Sequence, residues 1–307
     1  MFLAAVGVLG FSFTLPMTKI AVRGLDPMPA AAGRGAVAAV LAAIALRTWR
    51  CTLPTPRQLR RLAIVVVGVV VGFPLLTAYA VRLVPGSHGA VVTGLLPLVT
   101  AGVAVARAGE RPSGRYWACS LVGLGAVVWF ALGEGGGSLH VADLLLLGGV
   151  LAAAVGYNEG ALLAREMPGW QVVSWALVLA APLTVGATAW AVAAAGQLDA
   201  TAGQWAAFGY TAAVSMFFAF FAWYAGLARA GIAKGGQLQL AQPVLTILWG
   251  WPLLGERLTV AATVTAVVVL AAVAVGRHST VGRSSLVAGG PQRESSHVAA
   301  RCPPADS

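Results

Sequence analysis

The chemistry available to this chain sits in a few polar side chains embedded in apolar sequence. Glu159 is the sharpest, within AAAVGYNEGALLA (152–164). An ionisable group at the centre of a lipid-facing helix costs about 2.5–3.5 kcal/mol on insertion scales, so it normally faces a bundle interior or a water-filled cavity. A carboxylate there can carry a coupling proton or pair with a substrate amine. It can equally sit near the interface, paired with Arg165 or another loop arginine. Tyr157 and Asn158 share its turn and either line a cavity or bridge neighbouring helices.

Gln239 and Gln242 precede Pro243 and, three residues apart, share a helix face, which Gln237 shares only in part. A proline frees a backbone carbonyl one turn earlier, and polar neighbours or water must satisfy it. The glutamines therefore suit a cavity wall beside a broken helix, or contacts between helices worth about 0.6 kcal/mol each. Arg34 and Lys19 fall near the ends of the first two apolar segments. They can attract an anionic group such as a carboxylate, or snorkel to the interface at little cost. Trp175, Tyr79 and Tyr210 either box a substrate or pack against lipid and helices. His88, His140, His278 and His297 lie at segment ends or in the C-terminal stretch, none at ligand spacing from a Cys or carboxylate, so no metal site is expected. No nucleophile elbow or other catalytic constellation occurs, and no cofactor is expected.

The elements that hold these residues follow from composition. The chain has 307 residues, 59% hydrophobic and only 10% charged, with mean hydropathy +0.83. A soluble domain carries roughly 25% charged residues, so this is an integral membrane protein. The N-terminal residues lack a basic n-region, and Lys19 sits where a cleavage site would fall, so the first segment is expected to remain as a span. The net charge of +10 comes from basic residues in short loops, which set topology and do not form the patch that binds nucleic acid. The three cysteines are scattered without metal spacing.

A transmembrane helix needs about 20 apolar residues. On that ruler ten spans are expected, at 2–22, 30–47, 62–81, 88–107, 115–132, 142–163, 170–194, 205–227, 234–253 and 259–276. Residues 277–307, rich in Ser, Gly, Pro and Arg, read as a disordered cytoplasmic tail. With the N-terminus in the cytoplasm, fifteen of the twenty Lys and Arg fall in cytoplasmic loops and the tail, and three in outer loops. That bias places both termini in the cytoplasm.

One stretch occurs twice. Residues 90–111, AVVTGLLPLVTAGVAVARAGER, and 236–257, GQLQLAQPVLTILWGWPLLGER, each carry a proline and close on Gly-Glu-Arg. Pro97 and Glu110 match Pro243 and Glu256 at a common offset of 146 positions. Internal repetition of this kind fixes architecture before anything else. Both glutamates lie at span ends beside an arginine, where capping and anchoring account for them. Five spans per half is odd, so the halves enter the membrane in opposite senses, the arrangement that supports alternating access around a central site. The fold expected is an all-α polytopic membrane protein of ten transmembrane helices, arranged as two inverted five-helix repeats, 1–132 and 142–276.

The paired Pro and Gly-Glu-Arg, with FSFTLPMTKIAV (11–22) ending near Lys19 and Arg34 opening the next span, resemble the EamA-type repeat of the drug/metabolite transporter superfamily. The likeness covers residues 1–276. Gly10-Phe11 stands where that family often has Trp-Gly. The resemblance implies a secondary carrier in the cytoplasmic membrane that moves a small organic metabolite, an amino acid or related compound, outward. Its partners would be that substrate, the lipid bilayer and, through Glu159, protons as coupling ion. An intramembrane enzyme acting on lipid would need His, Asp or Glu clustered at one depth. A non-transporting scaffold would have no use for an inverted repeat.

Overall fold

The computed structural model describes residues 2–96, 98–100, 102–103, 114–134, 140–195, 199–230, 241–256 and 259–277. Pro97, Glu110, Gln239 and the stretch from 278 onward lie outside them.

The described chain is helical throughout and contains no strand. Six helices are long and apolar enough to cross a membrane: Phe2–Ala21, Pro27–Thr48, Pro56–Leu83, Val141–Leu163, Gly169–Ala194 and Ala202–Tyr224. These are the first, second, third, sixth, seventh and eighth spans. Gly114–Glu134 and Val260–Arg277 are the fifth and tenth. The fourth and ninth spans, which carry the duplicated stretch, are described in part. Gly86–Thr93 stops in a turn at Gly94–Leu95, and the ninth is described as a helix from Gln242 to Leu254. The fourth span expected over 88–107 is therefore interrupted ahead of Pro97. Pro97 has no N–H to give the Thr93 carbonyl, and the Thr93 hydroxyl bonds back to the Gly89 carbonyl at 2.8 Å.

The first span is broken too, at Phe13 between Phe2–Ser12 and Thr14–Ala21. Pro16 leaves the Ser12 carbonyl without its usual donor four residues on. The Thr246 hydroxyl of the ninth span donates to it instead, at 2.8 Å.

Local structure repeats at the offset of 146. Thr55 and Thr201 begin the third and eighth spans with capping boxes closed by Gln58 and Gln204. Both spans then pass through a π-helical segment, Val66–Gly72 and Tyr210–Phe218, each ending at the equivalent residue. The closing bonds, Phe73 N–H to the Gly68 carbonyl and Ala219 N–H to the Val214 carbonyl, reach back five residues at matching positions. Such segments inside α-helices recur at functional sites.

The halves interleave. The third and sixth spans approach to backbone contact at Gly68 and Gly156, where a Cβ on Gly68 would meet the Ala152 carbonyl and one on Gly156 would lie 2.7 Å from Val69 Cγ2. Small residues allow that distance, and close packing is what joins helices in a bilayer. Two apolar clusters result, one around Leu15, Val81, Leu146 and Ile247, the other around Val8, Leu62, Leu163 and Phe220. Each draws on both halves.

Candidate functional site

A small, partly open cavity lies between the halves. Its walls follow the internal symmetry. Phe11 and Tyr157, Val69 and Ser215, Pro74 and Phe220, and Leu96 and Gln242 all line it, each pair 146 positions apart. The cavity therefore lies where equivalent surfaces of the two halves face each other. The fourth and ninth spans and both π-helical segments reach it, at Leu96 and Gln242 and at Val69 and Ser215.

The walls are mainly aromatic and aliphatic. Phe220 stands edge-on to Phe11 at 4.8 Å and to Tyr157 at 6.2 Å, so one ring of the eighth span bridges an equivalent pair. Thr14 and Ser215 share a hydrogen bond of 2.7 Å across the halves. Arg34, on the second span, is the one charged residue among the described residues that line the cavity. It is 3% exposed. Its Nη1 donates to Thr18 Oγ1 at 3.3 Å, and its Nε–H meets no acceptor among the described residues.

Of the other residues singled out from sequence, Tyr157 and Gln242 border the cavity. Tyr79 does not. The third span turns Pro74, Thr77, Ala78 and Val81 inward, which leaves Tyr79 on the outer face, 41% exposed. Trp175 packs against the apolar cluster around Val8 and Leu62 and also lies off the cavity. Tyr210 donates its hydroxyl to the Gly10 carbonyl at 2.9 Å. Asn158 does not line the cavity either: its amide bridges spans, donating to the Thr100 and Ala154 carbonyls at 2.9 Å each.

Glu159 is 2% exposed and is not among the described residues that line the cavity. Its Oε2 lies 4.0 Å from Arg61 Nε. Arg61 also pairs with Glu166 at 3.1 Å, and Gln58 donates to Glu166 at 3.2 Å. This network ties the start of the third span to the connection between the sixth and seventh. At the opposite end of the bundle Glu256 accepts the N–H groups of Gly86 (2.6 Å) and Ser87 (2.8 Å), the first turn of the fourth span. Helix N-termini favour a carboxylate there. Lys19 lies 3.7 Å from Glu256 and donates to the Val84 carbonyl. Each end is thus closed by an ion-pair network that crosses from one half to the other.

One buried pair escaped the sequence reading. His88 Nε2 and Asp143 Oδ1 are 2.6 Å apart, and Asp143 Oδ2 accepts the His140 N–H at 2.9 Å. Fifty-five positions separate His88 from Asp143, so no local motif links them. The available signal was an acidic residue in the first turn of an apolar helix, VADLLLL (141–147).

The sequence pattern that defines the EamA-like transporter family matches residues 1–132 and 140–276. The uncharacterized transporter YdeK of Bacillus subtilis (strain 168) is 41% identical over 280 residues, covering 89% of this chain and 94% of its own. A solved crystal structure superposes with a TM-score of 0.60 at 19% identity, over 89% of this chain and 94% of that one. At that identity the likeness concerns the fold.

Proposed function

We propose that this chain, which belongs to the EamA-like transporter family, is a secondary carrier moving a small organic metabolite by alternating access. The membership makes it a multi-pass membrane transporter. The finer reading is carried by one observation: a cavity whose lining residues pair across the halves at a fixed offset. Inverted halves can exchange two mirror-related arrangements and so open such a site to each side in turn. Both termini lie in the cytoplasm, as the distribution of Lys and Arg favours. An amino acid or related compound, exported, is the class that family resemblance suggests.

Glu159 is the coupling carboxylate in this reading. It is buried beside Arg61, which also holds Glu166, so protonating Glu159 weakens one arm of the network at that end of the bundle. Outward opening and inward opening then differ in proton affinity, which is what coupling requires.

Counterflow in proteoliposomes, with a labelled panel of amino acids and small metabolites, tests the carrier. Saturable exchange of one compound, lowered about tenfold in Gln242→Leu, is the expected result. Absence of exchange for every compound by folded protein overturns it. Glu159→Gln is expected to retain exchange and lose its dependence on pH; a normal pH profile removes Glu159 from the coupling role.

A further inference from the structure

We propose that Arg34 is the anion-recognition group of the cavity and that the substrate must present a single carboxylate to it. This rests on the carrier reading and narrows it to a chemical class.

Burying a guanidinium away from water is unfavourable unless its charge is paired and its donors are satisfied. Arg34 is 3% exposed, and the structure gives it one hydroxyl partner, Thr18, at 3.3 Å. No salt bridge to it occurs among the described residues, and its Nε–H has no acceptor there. A guanidinium presents five donors in a planar fork, and a carboxylate engages two of them side by side. The position is also built for access. Arg34 lies seven residues into the second span, which begins at Pro27, roughly 10 Å along its axis at 1.5 Å per residue. From there its side chain lines the cavity.

Charge count sets the class. Among the described lining residues Arg34 supplies the one formal charge, and none of them offers a carboxylate to an ammonium. A monoanion balances the charge of Arg34, whereas a phosphate monoester carries more negative charge than these lining residues offset. Phe11, Phe73, Leu96, Met216 and Phe220 offer the body of such a molecule an apolar surface. The carboxylate is therefore obligatory and the amino group of an amino acid is dispensable. The asymmetry of the halves agrees with this: the position equivalent to Arg34 is Ala180, so one anion is bound, at one end of the cavity.

The experiment uses the full chain in proteoliposomes and four labelled compounds sharing one apolar side chain: the amino acid, its des-amino carboxylic acid, its amide and its decarboxylated amine. Both acids are expected to exchange, and the amide and amine are not. Arg34→Gln is expected to lower exchange of the acids about 10- to 100-fold, the scale of lost charge-assisted hydrogen bonds, and Arg34→Lys to restore part of it. Exchange of the amide or amine as fast as the acids overturns the proposal while leaving the carrier intact. If none of the four exchanges, thermal stabilisation of the detergent-solubilised protein by the des-amino acid decides. Stabilisation that Arg34→Gln removes supports the anion site without transport, and its absence in the unsubstituted protein overturns the site as well.

Discussion

The two halves of this protein share backbone devices and differ in the side chains they turn toward each other. Capping boxes at Thr55 and Thr201, and π-helical segments ending at Gly72 and Phe218, occupy equivalent positions. Even one hydrogen-bonded contact recurs. Thr246 bonds to the Ser12 carbonyl, and Asn158, equivalent to Ser12, bonds to the carbonyl of Thr100, equivalent to Thr246. The cavity wall keeps the geometry and abandons the chemistry. Where the first half presents Phe11, Val69 and Leu96, the second presents Tyr157, Ser215 and Gln242. Arg34 has no charged counterpart. On the proposed carrier reading, symmetry of the backbone serves the movement and asymmetry of the side chains gives one substrate a preferred orientation.

That contrast can be broken at several points, in order of expected effect. The largest is at the helix contacts. Gly156→Ala sets a Cβ 2.7 Å from Val69 Cγ2 and should cost about 1–3 kcal/mol as overpacking, with Gly156→Leu yielding no monodisperse protein. Gly10 is the equivalent position, and a Cβ there would meet the Ala219 Cβ at 3.0 Å. Thermal unfolding in detergent should rank Gly10→Ala as the milder change. Next comes the wall. Gln242→Leu makes the second half match the first and should lower exchange about tenfold, the scale of one lost hydrogen bond of roughly 1.4 kcal/mol. Leu96→Gln, the converse, should leave initial rates within about twofold, because it adds a group without removing one.

The recurring contact gives a smaller effect. Thr246→Val orphans the Ser12 carbonyl, which Pro16 already deprives of its helical donor, and should cost about 1 kcal/mol. Asn158→Ala should cost less, near the roughly 0.6 kcal/mol average for polar contacts between membrane helices. The smallest difference is expected at the caps. Thr55→Ala and Thr201→Ala should each cost about 0.5–1 kcal/mol, and their unfolding shifts should agree closely.

Much of the architecture was legible in the sequence because it depends on properties that survive divergence. Apolar length gives spans, and the proline with Gly-Glu-Arg marks the repeat at Pro97 and Pro243. The interruption at Gly94–Leu95 was implicit in Pro97, whose missing N–H breaks the helical ladder inside an apolar run of span length. The site was harder. Val69 and Ser215, or Pro74 and Phe220, have no chemical likeness to advertise equivalence, and their pairing emerges only when the cavity is seen. Tyr79 and Trp175 went the other way: aromatic character suggested a substrate box, and the rotation of their helices turned them elsewhere. Glu159 was conspicuous as a charge in apolar sequence, yet burial beside Arg61 places it in the network at one end of the bundle. His88 and Asp143 were invisible as a pair because tertiary packing alone joins them.

The most direct test of the account is the accessibility of Ser215, a cavity residue of the second half that bonds to Thr14 of the first. Ser215→Cys, in a protein whose Cys51, Cys119 and Cys302 are replaced by serine, can be labelled in sealed vesicles with a membrane-impermeant thiol reagent applied to either face. Alternating access predicts reaction from both faces, with substrate protecting the thiol from each. Reaction from one face alone, with and without substrate, would contradict it.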